Sequence, residues 1–148
     1  RVIEANAEGL PEDVEPAEPK TDIGWEIHPP ALTRLLLDMT RYYENLPPLY
    51  ITENGACDNT DVVDGEVNDQ LRTNYYQQHL HAVHEAMEQG ADVRGYFAWS
   101  LMDNFEWAFG YTMRFGIVHV NYETQQRTIK QSGKAWQAFL SARKPESI

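Results

Sequence analysis

Cysteine is almost absent from this sequence. Cys57 stands alone, so no internal disulfide can form. A lone thiol suits a reducing, cytoplasmic compartment. The chain opens on Arg1 rather than Met, so its natural start is expected to be missing and secretion stays open. Basic residues are also scarce. Twelve Lys and Arg face twenty-three Asp and Glu, a net charge of −11. That balance argues against nucleic acid or an anionic membrane surface as partner. No apolar run approaches the ~20 residues that a bilayer-spanning helix needs. No Asn-x-Ser/Thr acceptor occurs. What remains is 148 residues, enough for one domain with a real core.

Residues 1–22 are acidic and Pro-rich, with Pro11, Pro16 and Pro19 among Glu and Asp. They read as a surface loop or frayed end, ahead of a segment from 23 to 148 with regular patterning. Pro30 suits the first turn of a helix. Leu32, Leu35, Leu36, Met39 and Tyr43 then recur at helical spacing, and Pro47-Pro48 stops the helix. Leu49 to Thr52 is a short strand. Residues 55–68 form a loop rich in Asp, Asn and Gly, with Cys57 in it as a bystander thiol. Asp69 is placed to cap a second helix with Leu71, Tyr75, Leu80, Val83 and Met87 inward, and Gly90 ends it. Val93 to Trp99 is apolar on both faces, as suits a parallel strand covered by helices. A hairpin follows, from Phe115 to Tyr122 and from Arg127 to Lys130. Ser132 reads as the cap of a last helix with Trp136, Phe139 and Leu140 inward.

Helices alternating with strands predict an α/β fold with a parallel sheet. Two principal strands are too few to stand alone, because a parallel sheet needs covered faces and paired edges. A closed (β/α)8 barrel takes ~250 residues. The chain therefore reads as the last part of a TIM barrel, with strand edges paired by a segment outside it.

Two places carry the chemistry. In Leu49-Tyr50-Ile51-Thr52-Glu53-Asn54-Gly55, an apolar strand ends in a carboxylate. A charge there is costly unless it is used or paired, and barrel enzymes keep their reacting groups at such strand ends. The same run also reads as a strand ending in an Asn-Gly turn. The segment Trp99 to Tyr111 holds two Trp, two Phe, one Tyr and two carboxylates in thirteen residues. Aromatic faces stack on sugar C–H faces and carboxylates accept from hydroxyl pairs, so the set suits carbohydrate. Composition alone allows equally a packed core with Glu106 in a buried ion pair. Neighbouring parallel strands would bring Glu53 and this segment to one mouth, which favours the sugar site.

These motifs, T-E-N-G with Glu53, W-S-L-M-D-N-F-E-W from Trp99, and R-F-G-I-V-H-V-N-Y from Arg114, resemble the carboxyl-terminal third of glycoside hydrolase family 1. T-D-I-G-W-E-I from Thr21 and the stretch from Arg127 to Trp136 extend the resemblance over residues 20–142. It implies the carboxyl-terminal portion of a (β/α)8 barrel: the last two strands, three outer helices and a small hairpin. It implies a retaining β-glycosidase acting on terminal β-D-glucosyl, galactosyl or fucosyl residues, with Glu53 as nucleophile and no cofactor or metal. Trp99, Glu106, Trp107 and Phe115 would line the non-reducing sugar's subsite. Glu106 would take two hydroxyls, Trp107 would donate its indole N–H to a third, and Phe115 would lie near C6. Family members that prefer 6-phosphosugars tend to carry Ser at the Trp107 position with Lys nearby. Trp107-Ala108-Phe109 departs from that pattern and favours unphosphorylated substrates.

The family's acid/base Glu lies in an N-E-P motif, and none occurs here. Asp103 is early in its loop with no partner to raise its pKa, and Glu106 is assigned to the sugar. The chain alone is therefore expected to be inactive, with a β-glucoside or oligosaccharide and the missing amino-terminal barrel segment as its partners. The rival reading is a sugar-binding or structural remnant of a barrel. Asn54 should hold the turn rather than touch Glu53. His79, His81 and His84 read as solvated helix residues, and Asp58 to Asp64 as a solvated loop without calcium-loop spacing.

Overall fold

The computed structural model describes residues 2–5, 11–14 and 19–142. Of the acidic start, residues 1, 6–10 and 15–18 lie outside the described residues. The expectation of a plain loop is corrected at two places. Strand β1 (Val2–Ala5) pairs antiparallel with β2 (Pro11–Val14), Val2 opposite Val14. β-branched Val2, Ile3 and Val14 favour extended backbone, and Pro11 is tolerated as the first residue of a strand.

Helix α1 (Pro29–Tyr42) has the expected proline in its first turn and ends as Tyr43 turns extended. Leu36 is buried, and Leu32 and Leu37 pack beside it, while Leu35 and Tyr43 are exposed. Strand β3 (Leu49–Asn54) runs two residues beyond the expected end. Helix α2 (Gln70–Glu88) follows the Asp-rich loop, and Gly90 at φ +104° closes it. Such a φ suits glycine. Strand β4 (Val93–Ala98) pairs parallel with β3. Strands β5 (Val118–Val120) and β6 (Arg127–Ile129) form the small antiparallel hairpin, and α3 (Gln131–Ala142) closes the chain.

The core sits on the helical side of the β3–β4 pair. Leu36, Val83, Ala86, Ala91 and Val93 are buried together, with Leu49, Ile51 and Tyr96 against them. Thr33 of α1 donates its hydroxyl to the Ala82 carbonyl of α2 at 2.9 Å, which fixes the two helices. Tyr50 and Phe97 stay exposed on the sheet, as do Met87, Phe139 and Leu140 on the helices. Phe139 and Leu140 were expected inward, and Met87 likewise. Phe139 nonetheless stacks on Trp136 at 5.5 Å between ring centres.

Ser132 is not a cap. It lies inside α3, fully buried, and gives its hydroxyl to Asp69 Oδ2 while its N–H donates to Asp69 Oδ1 at 2.8 Å. Asp69 precedes α2 as expected but makes no capping bond from its side chain, because Ser132 and Arg72 occupy it. Arg72 is also fully buried. It donates to the carbonyls of Ala56, Asp58 and Arg114 at 3.0, 2.8 and 2.6 Å and pairs with Asp69 at 2.5 Å. One side chain thus ties α2 to the loop that leaves β3. A buried guanidinium is tolerable only when its donors are met in this way.

Candidate active site

Glu53 owes its place to a local irregularity. Ile51 pairs with Tyr96 and Asn54 with Ala98, so three steps on β3 match two on β4. The extra residue is a β-bulge, a device that re-aims side chains beside functional sites. Thr52 and Glu53 are consequently both exposed, while Asn54 turns toward the covered side. There Asn54 Oδ1 accepts the Tyr96 hydroxyl at 2.5 Å. Asn54 is held away from Glu53, although simple alternation misses the bulge that does it.

The end of β4 is locked onto the end of β3. Trp99 N–H donates to the Asn54 carbonyl at 2.8 Å. Gly55 lies against the Trp99 carbonyl so closely that a Cβ there would sit 1.8 Å from its oxygen. No other residue fits, which explains the glycine of the T-E-N-G run. The Trp99–Ser100 peptide is cis. Trp99 keeps 37% of its surface exposed at this mouth.

The loop after Trp99 is organised by Asp103. Its carboxylate is buried and takes the Arg114 guanidinium at 2.7 Å, the Lys130 ammonium at 2.8 Å and the Gly116 N–H at 3.0 Å. Burial opposes ionisation of Asp103, but Lys130 and Arg114 outweigh it and hold the carboxyl below its ordinary value. Asp103 is therefore an ionised strut between the W-S-L-M-D run and the R-F-G-I run, not an acid. Sequence reasoning left it without partners because Arg114 and Lys130 are remote in the chain.

Glu106 and Trp107 stand on a tight turn. Glu106 N–H donates to the Gly110 carbonyl at 2.6 Å, and Gly110 N–H returns to the Trp107 carbonyl at 3.1 Å. Trp107 has φ +40°. An aromatic residue in the left-handed region is strained, and such strain collects at functional sites. Its side chain is 82% exposed. Glu106 is partly exposed and is not the buried ion pair that composition allowed. Phe115 is different. Only 4% of it is exposed, and it packs on Trp25 at 6.0 Å between ring centres. Glu53, Trp99 and Trp107 are thus exposed and Glu106 partly so, while Phe115 lies beneath Trp25.

Two expectations outside the mouth need correction. His79 is buried, stacked on Tyr75 at 3.8 Å, with Nδ1 2.8 Å from the Tyr75 carbonyl. Asp58 is buried too, accepting from Thr60 and, at 3.1 Å, from the Arg72 N–H. His79 finds its partner one turn back on its own helix, and Asp58 finds one on the following helix. His81 and His84 are exposed and pair with Glu85 and Glu88 on the same helix at 3.4 and 3.6 Å. Cys57 is buried, with Sγ 3.6 Å from Met113 Sδ, and burial pushes its thiol up to about 11. It is no nucleophile. No group of His, Cys, Asp and Glu among the described residues could hold a metal ion. A cavity of about 670 Å³ lies between α2, α3 and β4, lined by Tyr76, Tyr96 and Trp136, away from Glu53.

The architecture has close counterparts. Residues 2–145 match the family model described as glycosyl hydrolase family 1. The chain is 58% identical over 122 residues to a β-glucosidase of Agrobacterium sp. (strain ATCC 21400), covering 82% of this chain and 26% of that protein. It is 50% identical over 130 residues to a bifunctional β-D-glucosidase/β-D-fucosidase of Bifidobacterium breve, covering 84% and 28%. The solved β-glucosidase of Thermotoga maritima in complex with castanospermine superposes with a TM-score of 0.90 at 40% identity, over 99% of this chain and 33% of that one. The chain thus spans 26–28% of the length of these curated relatives. It has the α/β architecture of a partial (β/α)8 barrel, with the expected parallel strand pair, three helices and small hairpin. The chain belongs to glycosyl hydrolase family 1.

Proposed function

We propose that this chain is the nucleophile-bearing part of a retaining β-glycosidase that hydrolyses terminal β-D-glucosyl, galactosyl or fucosyl residues. The observation that carries the reading is the bulge that turns Glu53 out beside Trp99 at the joined ends of β3 and β4. In the first step the Glu53 carboxylate attacks the anomeric carbon. The bond to the leaving oxygen breaks as a second carboxyl group donates its proton there. In the second step that same carboxylate takes a proton from water, and the water displaces Glu53 from the sugar. The configuration is kept because two displacements occur.

Trp99 and Trp107 offer faces and an indole N–H to the sugar, and Glu106 accepts from a pair of hydroxyls. Phe115 backs the C6 side from beneath Trp25. The acid/base carboxylate comes from outside these residues, since Asp103 is an ionised strut and Glu106 serves the sugar. The polypeptide alone is accordingly inactive, and an amino-terminal barrel segment completes both the sheet edges and the catalytic pair. Trp107-Ala108-Phe109 supports unphosphorylated substrates.

The test is hydrolysis of aryl β-glucosides, β-galactosides, β-fucosides and 6-phospho-β-glucosides by the isolated chain and by the chain joined to a family amino-terminal part. Turnover only in the joined form, greatest on unphosphorylated sugars, is the expected result. Sugar binding without turnover in either form would point instead to a non-catalytic remnant.

A further inference from the structure

Buried phenols need partners, and Tyr76 finds an unusual one. It sits on α2, 4% exposed, and its hydroxyl donates to the Trp99 carbonyl at 3.0 Å. That oxygen is the one Gly55 presses against, and a Cβ on Gly55 would also lie 3.2 Å from the Tyr76 hydroxyl. The other main-chain polar group of Trp99, its backbone N–H, is already held by the Asn54 carbonyl. Both main-chain groups of Trp99 are therefore pinned, one by the strand that carries Glu53 and one by the helix behind it. Tyr76 is itself braced, stacked on Trp136 of α3 at 5.5 Å and 15° and edge-on to Tyr75 at 5.9 Å.

We propose that Tyr76 is a positioning residue for glycosyl transfer: its hydroxyl fixes the Trp99 carbonyl and so sets the Trp99 ring relative to Glu53. The proposal rests on the reading of Glu53 as nucleophile. A Phe at this position would fill the same space, so packing does not require the oxygen. What the oxygen adds is resistance to sliding of the Trp99 peptide against Gly55. Small misplacements of a sugar from its attacking group lower the rate much more than they lower binding.

The experiment is Tyr76→Phe in the complete enzyme, with active sites titrated by the burst from 2,4-dinitrophenyl 2-deoxy-2-fluoro-β-D-glucoside. Titration removes misfolded molecules from the count. The expected result is a kcat per titrated site lowered roughly tenfold, with KM changed by less than about twofold. A per-site kcat within about twofold of the parent, with only thermal stability reduced, overturns the proposal while leaving Glu53 intact. No burst from the unaltered enzyme overturns the reading of Glu53, and this proposal with it. Should Tyr76→Phe yield no folded protein, 3-fluorotyrosine at position 76 keeps the hydroxyl and the shape. Its fluorine resonance should move when Glu53 becomes glycosylated, and an unmoved resonance overturns the proposal.

Discussion

The N–H of Trp99 donates to the carbonyl of Asn54 at 2.8 Å, and through that bond the ends of two parallel strands become one surface. Glu53 precedes Asn54, lies at the irregularity in the β3–β4 register, and is exposed. Several consequences can be measured.

On the proposed mechanism, Glu53→Gln removes the attacking oxygen and leaves the volume. In the complete enzyme kcat should fall by a factor on the order of 10⁴ or more, as for other covalent nucleophiles. Glu53 is exposed, so thermal stability should change little. Steady-state kinetics beside calorimetry on the same preparation check both halves. A large stability loss would recast Glu53 as structural.

Gly55→Ala places a methyl group 1.8 Å from the Trp99 oxygen. Overpacking against backbone should destabilise by about 2 kcal/mol and lower activity by disturbing Trp99. Denaturant unfolding of the variant checks the first and kcat per titrated site the second. Unchanged values would mean that the two strand ends are not so tightly joined.

Asp103→Asn leaves Lys130 buried and without its carboxylate, and Arg114 loses an ion-pair partner. Breaking one side of a buried pair costs about 3–5 kcal/mol. Unfolding in urea should show a loss of that size. A loss below about 1 kcal/mol, the value of a surface pair, would contradict the strut.

Burial holds the imidazole of His79 below its ordinary value, against the opposing hydrogen bond to the Tyr75 carbonyl. The unfolded chain therefore takes up this proton first as pH falls. Stability should be full above about pH 6.5 and decline as pH drops below it, until the folded-state value is reached. His119 is shifted the same way, by burial and then by Arg114. Melting temperatures from pH 7.5 to 5 should fall, and His79→Gln should flatten part of that slope. An unchanged slope would mean that His79 is not buried in solution.

Much of the fold is legible in the sequence because apolar periodicity is a local signal. The helix after Pro29-Pro30, the helix before Gly90 and both parallel strands fall where spacing puts them, within a few residues. What spacing misses is long-range pairing. Ser132 looks like a cap until Asp69, sixty-three residues away, claims it. Asp58 looks solvated until Arg72 reaches it; His79 is missed for a local reason, its stacking on Tyr75 one turn back on the same helix. Phe139 and Leu140 look like core because their apolar character is real, yet both remain exposed, Phe139 with one face on Trp136. At the mouth, residue types suggested Glu53 and Trp99, but the bulge that turns Glu53 out is a matter of register between strands and has no local signature.

The most direct measurement is the site of covalent attachment. The complete enzyme is incubated with a 2-deoxy-2-fluoro-β-D-glucoside, digested and sequenced by mass spectrometry. The expected result is one fluoroglucosyl adduct per active site, on Glu53, with turnover lost in proportion. An adduct on Glu106, Asp103 or any other residue, or full turnover with no adduct at all, would contradict it.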